Sequence, residues 1–93
     1  MGRSARMRPE RLAEKLLRIR TELGLSQNEM VRHLGFERVL YRSNISGYER
    51  GEREPPLPVL LRYARAVGVY VDALIDDEID LPPKLPVPTK RRG

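Results

Sequence analysis

Cysteine and tryptophan are absent from this 93-residue chain, and histidine occurs once, at His33. Without thiols there are no disulfides and no thiolate metal centres, a composition compatible with a reducing compartment. His33 has no histidine, cysteine or acid at ligand spacing, so it reads as helix surface. No apolar run approaches the roughly 20 residues of a membrane span. Met1 to Arg8 is basic but lacks the apolar segment of a secretion signal. The expectation is one cytoplasmic domain with too little core for a buried catalytic cleft. No catalytic residue, metal or cofactor is assigned.

Charge is what the chain has in excess: a net +5, with a pI near 10.1. An anionic partner is favoured, nucleic acid first. The excess is uneven. Residues 1–24 carry seven basic and three acidic side chains, whereas residues 25–54 carry five of each. After Asp77 the chain turns acidic at Glu78 and Asp80, then basic at Lys84, Lys90, Arg91 and Arg92.

Apolar spacing predicts five short helices. Pro9 opens the first, in which Leu12, Leu16, Ile19 and Leu23 form one stripe and Arg11, Lys15 and Arg18 lie off it. Gly24 ends it. Ser26 and Glu29 form a capping box for a second helix, with Met30 and Leu34 inward and Gly35 as its stop. A third covers roughly 43–50, with Ile45 and Tyr48 inward and Gly51 beyond. Pro55-Pro56 interrupts, and a fourth helix starts near Pro58 with Leu60, Leu61, Ala64 and Val67 as its apolar face. Val71, Leu74 and Ile75 suggest a short fifth. The expected architecture is an all-α bundle at 9–76, preceded by a basic arm at 1–8 and followed by an extended, partly disordered Pro-rich tail at 77–93.

One string carries more than periodicity: Leu25-Ser26-Gln27, Leu34-Gly35, then Asn44-Ile45-Ser46-Gly47-Tyr48-Glu49-Arg50-Gly51, then Pro55-Pro56. It resembles the helix-turn-helix family of Cro and phage repressors, also called xenobiotic-response-element regulators. The resemblance covers about residues 9–76. It implies a sequence-specific DNA-binding transcriptional regulator, a repressor, with its third helix in the major groove. Gln27 would bond a phosphate at a helix N-terminus. The family's base-contacting positions fall on Arg42, Ser43 and Gly47, with Asn44 and Ser46 beside them. Arg42 is the strongest reader, since a guanidinium bonds guanine O6 and N7 together. Arg50 and Arg53 complete the candidate set. Gly47 leaves one reading position blank, which either relaxes specificity or brings backbone close to DNA.

Two departures from the pattern stand out: Val31 stands where the family prefers a small alanine at the crossing of helices 2 and 3, and the connection before Ile45 is longer. Nine residues, Phe36 to Asn44, separate Gly35 from Ile45, about four more than the family uses. The family's helix-capping serine therefore falls on Tyr41, so either Ser43 takes over the cap or the helix begins earlier. Arg38 and Arg42 either reach phosphates from this segment or lie in a solvated loop pinned by Phe36 or Leu40. Glu49 reads equally as a partner of Arg50 and Arg53 or as plain helix surface. The expected partner is double-stranded DNA, bound by a homodimer that meets through the fifth helix and Leu81 to Val87. The alternative is an antitoxin or other interaction module whose C-terminal tail offers Leu81, Leu85 and Val87 to a protein.

Overall fold

A computed structural model describes residues 7–86. Five helices follow one another without strands among these residues: α1 (Leu12–Leu23), α2 (Gln27–Leu34), α3 (Arg42–Glu49), α4 (Leu57–Ala66) and α5 (Asp72–Ile75). Leu12, Leu16 and Ile19 of α1, Met30 and Leu34 of α2, Ile45 and Tyr48 of α3, and Leu74 of α5 all join one core, as their spacing predicts. In α4 and its C-cap residue Val67 the buried row is Val59, Leu60, Tyr63, Ala64 and Val67, while Leu61 is 39% exposed. The apolar face expected there is thus rotated toward Tyr63. The buried pairs are Val59-Leu60 and Tyr63-Ala64, one turn apart, so Leu61 falls at the edge and the aromatic ring takes the central place.

The helix ends follow the local chemistry. The Ser26–Glu29 capping box closes both ways, at 2.8 Å from the Ser26 N–H to Glu29 and 3.0 Å from the Glu29 N–H to Ser26. These bonds hold the Glu29 carboxyl below its ordinary range. The first helix begins at Leu12 rather than at Pro9, and its own first turn has no side-chain cap. The cap comes from Asp77, whose carboxylate accepts from the Glu10 N–H at 2.9 Å and the Arg11 N–H at 3.0 Å. A residue far along the chain thereby fixes where α1 starts.

The segment after α5 is extended, but it is packed. Leu81 and Leu85 are buried in the main core. A cationic row on α1, one residue out of step with its apolar row, grips the segment's backbone. Arg11 donates to the Asp77 carbonyl and pairs with Asp80 at 2.6 Å. The Lys15 ammonium, only 2% exposed as a residue, donates to the carbonyls of Ala73, Asp76 and Ile79 at 2.7–2.9 Å. Arg18 donates to those of Pro82 and Pro83. Prolines suit this strap because a grip on carbonyls needs no N–H from it. At its far end the Pro86 carbonyl sits 3.2 Å from where a side chain on Gly68 would begin, and Gly68 has φ +69. Only glycine meets both demands there. The leucines assigned to a partner or to a dimer surface are therefore occupied within the chain; Val87 lies outside the described residues.

The long connection between α2 and α3 is a compact turn. The N–H groups of Val39 and Leu40 both donate to the Phe36 carbonyl, at 2.9 and 2.8 Å. Leu40 is buried, and the Phe36 ring lies 5.5 Å beneath the Arg62 guanidinium, which also closes the end of α2 by donating to the Leu34 carbonyl at 3.0 Å. The extra residues are absorbed in this turn, before α3 begins.

Candidate nucleic-acid interface

The third helix starts at Arg42 with Tyr41 as its N-cap residue, so of the two expected arrangements the earlier start holds and Ser43 is not the cap. Asn44 does part of the serine's work in reverse. Its Oδ1 accepts from the Tyr41 N–H at 2.9 Å, the return half of a capping box. The side chain is thus turned back on the helix start.

Glu49 is neither paired with Arg50 or Arg53 nor plain surface. Its side chain is 5% exposed and takes a two-pronged ion pair from Arg20, at 2.6 and 3.0 Å. The same Arg20 donates to the Leu25 carbonyl at 2.8 Å, and the Gln27 amide donates to Glu49 at 3.1 Å. One carboxylate therefore ties α3 to α1 and to the first residue of α2. Two-pronged geometry fixes orientation as well as distance. Glu49 lies one turn beyond buried Ile45, so a helix-face count alone puts a carboxylate at the core edge; its partner, 29 residues away, leaves no local signal. Burial, and after it the negative charge of Glu49, pushes the Tyr63 hydroxyl far above its ordinary titration range, with Arg20 acting in the opposite direction.

This lock sets the angle between the start of α2 and the outer face of α3. Gln27, Arg42, Ser43, Ser46 and Arg50 converge there on one shallow groove. A second groove adjoins it, lined by Asn28, Arg32, Glu37 and Tyr41 together with Arg42 and Ser43. Asn28 and Arg32 went unnoticed in the sequence, although their one-turn spacing beside Gln27 places them on the same side of α2. Arg32, Arg38 and Arg42 are exposed, and their guanidinium groups make no hydrogen bond or ion pair among the described residues. Arg50 is engaged, with Ser46 at 2.8 Å and Glu52 at 2.8 Å. Arg38 stands on the turn before α3, outside both grooves.

Gly47 and Arg53 form a separate part of the surface. Gly47 is buried although it lies on α3 one turn from exposed Ser43, because the Arg53 stem covers it. The backbone at this position is therefore covered by the Arg53 stem rather than bare.

A family model for the helix-turn-helix domain matches residues 13–78. This chain belongs to that family. Its helix-turn-helix unit is α2 and α3, with α1, α4 and α5 as the supporting core. No curated protein matches the sequence. Among solved structures, the P22 c2 repressor in complex with a synthetic operator is 26% identical, with a TM-score of 0.61 over 71% of this chain and 94% of that one. A hypothetical transcription factor from Neisseria is 28% identical, with a TM-score of 0.57 over 87% of this chain and 90% of that one. The SinR–SinI complex, at 24% identity and a TM-score of 0.60, shares the fold; 72% of this chain and 62% of that one align. The Cro and phage-repressor architecture read from the motifs is the architecture found. No helix among the described residues is long and apolar enough to cross a membrane.

Proposed function

We propose that this helix-turn-helix protein is a sequence-specific transcriptional repressor that lays α3 in the major groove of operator DNA. The observation that carries the reading is the convergence of Gln27, Arg42, Ser43 and Ser46 at the junction of α2 and α3. In that arrangement the N-terminal end of α3 presents Arg42 and Ser43 to base edges, and Gln27 stands at a helix N-terminus suited to a phosphate. Arg32, Arg38 and Arg53 supply further positive charge around them. Likeness to a repressor found on its operator supports the same assignment.

One such helix reads only a few base pairs, so the operator is a two-fold site bound by two copies. Capture of a protein through the tail has less support, because Leu81 and Leu85 are buried within the chain. Selection of bound duplexes from a random pool tests the reading. Enrichment of a two-fold motif, with affinity falling steeply as salt rises, is expected. Recovery of unenriched DNA, or binding insensitive to salt, would contradict it.

A further inference from the structure

Gly47 deprives α3 of a side chain in the row that begins at Ser43, one turn away on the outer face. The structure places another residue over that gap. Both the Glu52 and Arg53 N–H groups donate to the Gly47 carbonyl, at 2.9 and 3.2 Å, which anchors the turn after α3 against this point. From there the Arg53 stem runs across the glycine. Its Cβ, Cγ and Cδ lie 3.6, 3.3 and 3.0 Å from the position a Gly47 side chain would start from. The arm is held by contact along its methylenes, so less side-chain freedom is lost when its end binds something. The end itself is open: Arg53 is exposed, and its guanidinium makes no hydrogen bond or ion pair among the described residues.

We infer that Arg53 supplies the reading side chain that Gly47 lacks, recognising a guanine edge from the turn after α3 rather than from the helix. This inference rests on the DNA-binding reading above. Glycine at 47 then suits the arm's path: a Cβ there would stand 3.0 Å from the Arg53 Cδ, so the stem would have to give by a few tenths of an ångström. Arg42 at one end of α3 and Arg53 beyond the other bracket the serines between them.

The test compares the parent, Gly47→Ala, Arg53→Ala and the double variant on two probes: the duplex selected from random DNA and an unselected duplex. Gly47 has no left-handed φ, so alanine keeps the helix, and thermal unfolding checks that it does. Each single change should lower the ratio of selected to unselected affinity about tenfold, within the range for one bidentate base contact. The double variant should lose no more than either single one, because both remove the same contact. Equal weakening of Arg53→Ala on both probes would make Arg53 a phosphate contact and overturn the inference. Additive losses would also overturn it, since the arm's path would not depend on Gly47. Arg42→Ala serves as the reference. If it loses preference while Arg53→Ala keeps it, DNA reading by α3 stands and this inference falls; if neither loses preference, both fall.

Discussion

Two sets of cations in this molecule look alike in the sequence and behave oppositely in the fold. From Arg8 to Arg20 every described basic side chain is engaged inside the molecule. Arg8 holds the Gly51 carbonyl, Arg11, Lys15 and Arg18 hold the strap, and Arg20 holds Glu49. Residues 25–54 balance in charge, yet within them Arg32, Arg38, Arg42 and Arg53 are exposed with no such partner among the described residues. The basic stretch is mostly scaffold, and the neutral stretch carries the open positive surface. Net charge along a chain counts groups; a polyanion meets only those whose hydrogen bonds are still available.

The sharpest way to break this division is to unlock the two regions from each other. Glu49→Ala leaves the Arg20 guanidinium without its carboxylate in a nearly dry setting and frees Gln27, so unfolding free energy should fall by about 3–5 kcal/mol. Denaturant unfolding measures it, and a loss within ~0.5 kcal/mol would show that the lock is ornamental. Leu81→Ala should cost about 2–4 kcal/mol, because it empties a buried site in the strap. A strap that merely rests on the surface would give almost no change. Arg42→Ala should do the reverse of both. Stability should be unchanged, while preference for the selected duplex falls by about 1–3 kcal/mol.

Acid is the gentlest probe. The Glu10 and Arg11 N–H groups hold the Asp77 carboxyl below its ordinary value of 3.8. A depressed carboxyl stabilises the fold fully above that ordinary value, and the contribution disappears as pH falls through the lower value of the folded state. Thermal midpoints should therefore decline below about pH 4, and Asp77→Asn should show a shallower decline. Identical acid profiles would mean that Asp77 is not the cap of α1.

Much of this was legible beforehand, for a physical reason. Helix stripes, the Ser26–Glu29 box and the Ile45–Tyr48 anchors are contacts between near neighbours, and spacing encodes them. The register of α3 was legible in its C-terminal half, where Ile45 and Tyr48 are buried, and ambiguous at its start, where Tyr41 and Asn44 share the cap. What spacing could not show were pairings across the chain: Arg20 with Glu49, Asp77 with the start of α1, and Lys15 with three carbonyls. The prolines made the strap's extension legible but not its packing, because its two leucines find a groove and its carbonyls find α1 only in the fold. Gly47 looked blank because the side chain covering it comes from the next turn.

The central claim is that the engaged cations of α1 hold the fold while the open cations around α3 meet DNA. Lys15→Met and Arg42→Ala, each compared with the parent for selected and random duplexes at a temperature where all are folded, test it directly. Lys15→Met should keep the parent's affinity ratio while its unfolding free energy drops by about 2–3 kcal/mol, since it strands three carbonyls. Arg42→Ala should lose the ratio and keep the stability. A Lys15→Met protein that stays fully stable but loses its preference for the selected duplex, beside an unaffected Arg42→Ala, would contradict the account.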